Sequence, residues 1–139
     1  MENDLSACSI FVNPKQFNDP KDFDLYPKTE EADLAQLEAA NCDMVLIPSV
    51  DDIYPSGFET KLYDFGKLDE FMEGAYRKGH FQGMANVVCR LLQIVEPNRA
   101  YFGEKDYQQL RIVQQLFLAN PTHGANIMPC IGNDFRHFI

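Results

Sequence analysis

The feature that most constrains the fold is an alternation of short apolar runs with segments of helical periodicity. Four apolar runs are strand candidates, and three amphipathic segments lie between them. The strand candidates are 8–12 ("CSIFV"), 44–48 ("MVLIP"), 100–103 ("AYFG") and 127–131 ("IMPCI"), and the helix candidates are 29–40, 82–95 and 106–118. Strands that alternate with helices in this way predict an α/β domain with a mostly parallel sheet.

Prolines and turn residues predict irregular backbone between these elements. Pro14 and Pro20 predict a loop over 13–26, because proline interrupts regular hydrogen bonding. "IYPSG" (53–57) predicts a turn, followed by a candidate short strand over 58–63. The run 44–48 is continuous rather than alternating, which is typical of a strand covered on both faces.

Length and composition limit the class of protein. The chain has 139 residues, 45% of them hydrophobic, which predicts one globular domain over 1–139. A net charge of −9 argues against a nucleic-acid partner, which would need a basic face. The sequence has no apolar run of the roughly 20 residues that a membrane span needs. Its first ten residues carry acids where a signal peptide would carry a basic segment. We therefore expect a soluble cytoplasmic protein without a membrane partner. Four dispersed cysteines, three of them in or beside apolar runs, indicate buried reduced thiols rather than a zinc site or a disulfide scaffold.

The stretch "YFGEKDYQQL" (101–110) places chemically useful groups where a strand passes into a helix. Ligands of parallel sheets bind beyond the carboxyl ends of the strands, where unpaired backbone N–H groups attract anions. Gly103 would let a ligand approach the backbone, Lys105 suits phosphate, and an acid can bind ribose hydroxyls. The alternative is a capped helix start with solvated charges.

A second polar cluster, "FVNPKQF" (11–17), follows the first strand candidate. Asn13 and Gln16 carry neutral donors and acceptors that suit hydroxyls and a carboxylate, although turn chemistry around Pro14 explains them equally well. Common nucleotide, metalloprotease and serine-hydrolase motifs are missing from the sequence. Among the histidines, His80 lies between glycines, which suggests a mobile loop, and His123 and His137 read as surface residues.

Five segments in order carry a specific resemblance. "SIFVNPKQF", "YPKTEEAD", "IYPSG", "EGAYRKGHFQG" and "FGEKDYQQL" resemble the pantothenate synthetase (pantoate–β-alanine ligase) family over about residues 8–118, whereas the tail 131–139 diverges. The resemblance implies a Rossmann-like nucleotidyltransferase domain. It also implies a homodimer that activates pantoate with MgATP and condenses pantoyl adenylate with β-alanine, releasing AMP.

The resemblance also implies roles for individual residues. Asn13, Gln16 and Gln109 would bind pantoate, and Gly103, Glu104, Lys105 and Asp106 would form the ATP segment. Lys105 would be the catalytic residue, stabilising charge on the α-phosphate, while Asp106 would hold the ribose. Asp33 would lie near Mg²⁺ and pyrophosphate. Arg77 and His80 match a loop near the site, for which no role is assigned.

The sequence departs from the family pattern at both ends. The HxGH motif that contacts ATP phosphates in the family does not occur in these 139 residues, nor does the serine-serine-arginine segment or the small C-terminal domain. We therefore expect a partial domain that is inactive by itself. Two hypotheses follow: a ligase by family membership, or a non-catalytic remnant that at most binds pantoate or dimerises.

Overall fold

The computed structural model describes residues 3–17, 19–27, 29–119 and 126–130, with the side chains of Ala119 and Cys130 left aside. It is an α/β structure. The strands are β1 (Ala7–Ser9), β2 (Met44–Leu46), β3 (Arg99–Gly103) and β4 (Asn126–Cys130), and the helices are α1 (Pro20–Leu25), α2 (Glu30–Ala39), α3 (Val50–Ile53), α4 (Glu73–Tyr76), α5 (His80–Val95) and α6 (Tyr107–Ala119). Two 3-10 turns, Pro14–Gln16 and Glu104–Asp106, complete the order.

All strand pairing in the described residues is parallel, but it forms two separate two-stranded sheets rather than one sheet. β1 pairs with β2 in the register Ala7 to Met44, and β3 pairs with β4 in the register Arg99 to Asn126. The predicted parallel α/β class is therefore confirmed. The predicted continuity of the sheet is not seen within the described ranges.

One buried helix organises the core. α5 contributes a row of buried side chains from Phe81 to Leu91, and α6 packs against it through Ile112 and Val113, both fully buried. Side chains from both strand pairs, including Leu46 and Phe102, pack on this same cluster. The two small sheets thus share one core, and burying this apolar surface is the main favourable term for the fold.

The prediction of a loop over 13–26 is wrong. The Pro14–Gln16 turn and α1 both begin at a proline. At the first position of a helical turn the missing N–H of proline costs nothing and its fixed φ is favourable. Asn13 and Asp19 cap these turns by accepting hydrogen bonds from Lys15 N and Lys21 N.

The predicted short strand over 58–63 is also absent. Side chains of α5 take the place of a strand partner there: Asn86 bonds both the N–H and the carbonyl of Lys61, and Gln82 bonds both groups of Tyr63, at 2.7–3.0 Å. These amides supply hydrogen bonds to the backbone of a segment that has no strand partner among the described residues.

The remaining boundaries differ modestly from the predictions. α5 begins at His80 rather than near 82, α6 begins at Tyr107 after a 3-10 turn, and β2 ends at Leu46. The expectation that the second strand is covered on both faces is wrong, because Met44 is 52% exposed. Thr29 does occupy the N-cap of α2, but its hydroxyl donates to Asp33 instead of capping the backbone.

The described cysteines are free thiols. The prediction that the cysteines are buried holds for Cys89, whereas Cys8 and Cys42 are only half-buried. Burial raises the pKa of Cys8 to about 11, so this thiol stays protonated at neutral pH. The tail 131–139, His123 and His137 lie outside the described residues. None of the helices in the described ranges combines the length and apolar character that a membrane crossing requires.

Candidate active site

Asn13 is the structural centre of the turn that follows β1. Its side chain is only 2% exposed and donates from Nδ2 to the carbonyl of Gly83 at 3.2 Å. Its Oδ1 accepts from the Lys15 N–H at 3.2 Å and from the Tyr54 hydroxyl at 2.9 Å. Burial raises the pKa of Tyr54 to about 12, which keeps that hydroxyl a donor. The described contacts of Asn13 hold the turn, and its predicted contact with pantoate stays a prediction.

Gln16 and Gln109 differ from the other interior amides. Both are half-buried, yet neither side-chain amide has a hydrogen-bond partner in the part of the chain that the structure describes. By contrast, Gln108 donates to the carbonyls of Leu68 and Phe71 at 2.6 and 2.7 Å. Two half-buried amides without partners are available for a polar ligand, since groups removed from water normally find a partner.

A chain of contacts ties the two predicted clusters together. The Nδ1 of His80 lies 3.2 Å from the carbonyl of Gln16. The His80 N–H donates to the carbonyl of Arg77 at 3.0 Å, and the Arg77 N–H donates to the carbonyl of Glu73 at 2.8 Å. The Glu73 N–H donates to Oε1 of Gln108 at 3.1 Å, and Gln108 is the neighbour of Gln109. The turn that carries Gln16 and the helix that carries Gln109 are thus linked through α4 and α5.

His80 is a buried residue of helix α5. The expectation of a loop at this position is therefore wrong. His80 is the first residue of α5, and Gly79 before it adopts a left-handed φ of 79°. Burial lowers the pKa of His80, assisted by the Arg77 charge, while the Gln16 carbonyl and Glu73 oppose the shift. A carbonyl can only accept, so Nδ1 carries the proton in this contact.

The ATP segment is open by comparison. Gly103 ends β3, and Glu104, Lys105 and Asp106 form the 3-10 turn before α6. The Lys105 ammonium lies 2.9 Å from the Asp106 carboxylate, with the two side chains 45% and 46% exposed. Lys105 therefore lies in the turn that precedes α6, whereas Gln109 lies on the α6 helix itself.

Gly103 has an ordinary backbone. Its φ is −65°, and an added Cβ would meet only Cγ of Lys105, at 3.7 Å. Neither the backbone conformation nor a contact within the described residues therefore demands glycine here, which leaves the predicted close approach of a ligand as a reason for it.

Asp33 lies apart from these groups. It is a buried residue of α2, and its carboxylate accepts from the Thr29 hydroxyl at 3.2 Å. No cluster of three or more acidic, histidine or cysteine side chains suited to a metal occurs among the described residues. The structure does not connect Asp33 to the contact chain of the two clusters, and its metal role stays a prediction.

The sequence matches the profile of the family "Pantoate-beta-alanine ligase" over residues 1–130. The chain belongs to this family. The Aquifex aeolicus pantothenate synthetase is 52% identical over 116 residues, which cover 84% of this chain and 41% of that protein. The chain thus spans about 41% of the length of this curated relative.

Solved structures of the family have the same fold. The crystal structure of pantothenate synthetase from Thermus thermophilus matches with a TM-score of 0.86 and 43% identity, covering 94% of this chain and 47% of that one. The pantoate-beta-alanine ligase from Francisella tularensis, complexed with beta-gamma ATP and beta-alanine, matches with a TM-score of 0.87 and 38% identity over 99% of this chain and 53% of its own. The predicted nucleotidyltransferase-type α/β fold is confirmed.

Sequence reasoning missed the roles of three residues that shape the site: Tyr54, Gly83 and Gln108. Gly83 carries a signal, because a glycine inside a helical pattern often marks a close backbone approach. Tyr54 and Gln108 lie in the family segments "IYPSG" and "FGEKDYQQL", but the sequence does not show their partners, which lie 41 and 40 residues away in the chain.

Proposed function

We propose that this chain forms the pantoate-binding side and the Lys105 side of a pantoate–β-alanine ligase active site. The reaction is the ATP-dependent condensation of pantoate with β-alanine to pantothenate. The observation that carries the proposal is a pair of side-chain amides, Gln16 and Gln109, that have no partner among the described residues and lie in two clusters joined through His80 and Glu73. Family membership supports it, as does the likeness to a Francisella ligase complexed with beta-gamma ATP and beta-alanine.

In the first step a carboxylate oxygen of pantoate attacks the α-phosphorus of ATP. A new oxygen–phosphorus bond forms, the bond to the β-phosphate breaks, and pyrophosphate leaves with the bonding electrons. Lys105 would place its ammonium on the α-phosphate, where negative charge grows in the transition state. To do so it exchanges Asp106 for phosphate, which costs little because an exposed ion pair contributes only about 0–1 kcal/mol.

In the second step the amine of β-alanine attacks the acyl carbon of pantoyl adenylate. The carbon–nitrogen bond forms, AMP leaves with the electrons of the carbon–oxygen bond, and the nitrogen loses a proton to solvent. Gln16 and Gln109 would hold the pantoyl hydroxyls through both steps, so that the acyl group stays in position while its leaving group changes.

Mg²⁺ enters this proposal as part of the MgATP substrate. Magnesium bound to phosphates usually takes only one or two protein carboxylates, so a site without an all-protein metal cage is compatible with it. Asp33 is the carboxylate proposed for that contact, and Asp106 would then bind the ribose once Lys105 has left it.

A non-catalytic remnant is the second candidate, and the comparisons do not favour it, because the relatives that match are pantothenate synthetases. The family resemblance implies a homodimer, and we include that assembly in the ligase proposal. Sedimentation or light scattering of the purified protein would test that assembly directly.

The deciding experiment is a chimera. The matching segment of the Thermus thermophilus enzyme is replaced by this chain, so that the Thermus parent supplies the remaining parts, and pantothenate and AMP are measured with all three substrates. The same graft from the Aquifex aeolicus enzyme is the control for the junctions. We expect turnover that requires pantoate, β-alanine and MgATP together. A folded, inactive chimera beside an active Aquifex graft would contradict the proposal.

A further inference from the structure

Two motifs of this chain have no chemical role in the reaction above, yet both contact the turn that carries Gln16. "IYPSG" contributes Tyr54, and the start of α5 contributes Gly83. Tyr54 follows Ile53, which is fully buried in the core, so the backbone that carries the tyrosine is anchored in the core. The two motifs reach the Pro14–Gln16 turn through different kinds of contact.

Gly83 meets the turn through its missing side chain. A Cβ on Gly83 would lie 2.5 Å from the carbonyl oxygen of Lys15 and 3.3 Å from the amide nitrogen of Gln16. Real Cβ atoms do not approach backbone that closely, so the helix and the turn can touch only if residue 83 is glycine. Glycine within a helix lowers stability by about 1 kcal/mol relative to alanine. The close contact with the turn is the structural reason for a glycine at this position.

Tyr54 meets the turn at two places. Its hydroxyl donates to Oδ1 of Asn13 at 2.9 Å, and the centroid of its ring lies 3.9 Å from the ammonium of Lys15. Phe58 packs edge-on against the same ring, with centroids 5.5 Å apart. One aromatic side chain thereby fixes residues on both sides of Pro14, through a hydrogen bond and a cation–π contact.

Together these contacts fix the backbone of Gln16 and leave its side chain without a partner among the residues that the structure describes. Gly83 abuts its amide nitrogen, and His80 bonds its carbonyl oxygen at 3.2 Å. An amide that is held in one place before the ligand arrives loses less entropy on binding.

We infer that Tyr54 and Gly83 are positioning residues for pantoate binding: they hold the Pro14–Gln16 turn so that the Gln16 amide is ready for the substrate. The inference rests on the proposed function for the identity of the ligand, whereas the fixation of the turn is independent of it.

The test is NMR of the isotope-labelled chain, comparing Tyr54→Phe and Gly83→Ala with the unmodified protein. Without substrate, we expect the Lys15 and Gln16 amide signals to shift or broaden in both variants, while those of Gln109 stay unchanged. With pantoate, Tyr54→Phe should weaken binding about two- to tenfold, the effect of one hydrogen bond, and Gly83→Ala should weaken it more.

Tyr63→Phe is the matched control. Tyr63 is another half-buried tyrosine, and its side chain lies beside Cys89 on α5 rather than on the turn. Its variant should lower the melting temperature but leave the Gln16 signals and pantoate binding unchanged, which separates positioning from general stability.

The outcomes distinguish the two proposals. If the folded unmodified chain shows no pantoate response at Gln16 or Gln109, the pantoate-binding proposal fails for this chain, and the substrate-free signals still decide the positioning role. Unchanged Lys15 and Gln16 signals in Tyr54→Phe would overturn the positioning role, as would unweakened pantoate binding. Should Gly83→Ala not fold, Tyr54→Phe alone decides.

Discussion

Two 3-10 turns of this molecule follow parallel strands, and their surroundings differ sharply. At Pro14–Gln16 the capping Asn13 is 2% exposed, and the turn is bonded to Tyr54, His80 and α5. At Glu104–Asp106 the Lys105 and Asp106 side chains are nearly half exposed and bond each other. The first turn is rigidly held before a ligand arrives, whereas the second can rearrange at low cost.

The difference matches the ligands that each turn is proposed to bind. Recognition of hydroxyls depends on hydrogen-bond geometry, which a fixed amide supplies best. Recognition of a triphosphate depends more on charge, and a lysine on a flexible stem can follow a phosphate whose charge changes during the reaction.

The largest effect is expected from Lys105→Ala in the chimera. Removing the ammonium from the α-phosphate should lower turnover by at least about 10², the usual cost of losing one preorganised donor to the transition state. Stability should change by less than about 0.5 kcal/mol, because the ion pair that is lost is exposed. Lys67→Ala, at another exposed lysine, is the control for surface charge, and turnover of Lys105→Ala close to that of the parent would contradict the catalytic role.

The next effect concerns stability at the other turn. Asn13→Ala removes three hydrogen bonds from a buried site and leaves the Lys15 N–H and the Tyr54 hydroxyl without the acceptor that Asn13 provides. We expect a loss of about 1–3 kcal/mol in the free energy of unfolding, measured by urea denaturation. Asp106→Ala should change it by less than about 0.5 kcal/mol. Equal losses in the two variants would remove the contrast between the turns.

The sequence predicted the open turn better than the fixed one, for a physical reason. The apolar run of β3 and the periodicity of α6 are local patterns, so the position of Gly103–Asp106 between them could be read from neighbouring residues. The loop prediction around Pro14 failed because proline favours the first position of a helical turn as readily as a loop. The fixation of that turn depends on Tyr54 and Gly83, which lie far away in the chain.

The same reason explains the strand that is absent. Residues 58–63 have the composition of a strand, but their backbone partners are the side chains of Gln82 and Asn86 on α5. A pattern of apolar residues cannot show whether an amide side chain or another strand will supply the hydrogen bonds. The family motifs did identify the segments that contain these residues. A motif marks a segment, but it does not show which distant residues that segment contacts.

A smaller effect is expected from pH. The pKa of His80 lies below its ordinary value of 6.5 in the folded chain, mainly because of burial, with Arg77 acting in the same direction and Glu73 and the Gln16 carbonyl against it. Between the folded and unfolded pKa values the unfolded chain binds more protons, so stability should fall as pH drops below about 6.5.

The slope from one proton cannot exceed about 1.4 kcal/mol per pH unit. His80→Asn keeps a donor for the Gln16 carbonyl without the titration, so its stability should depend less on pH between about 7 and about 5. Urea denaturation at both pH values measures the difference. Identical pH dependence in the two proteins would show that His80 titrates normally or does not support the turn.

The smallest effect on stability is expected from Gly103→Ala, and it is the sharpest comparison of the two turns. An added methyl group at residue 103 meets only the flexible Lys105 side chain at 3.7 Å, whereas at residue 83 it would lie 2.5 Å from backbone. We expect Gly103→Ala to change the free energy of unfolding by less than about 0.5 kcal/mol, while the steric conflict in Gly83→Ala costs about 1–3 kcal/mol, offset in part by helix propensity. If the nucleotide approaches the backbone at Gly103, the same alanine should raise the KM for ATP in the chimera several-fold and leave that for pantoate unchanged. A raised KM for pantoate alone would place the substrate, and not the nucleotide, against this turn.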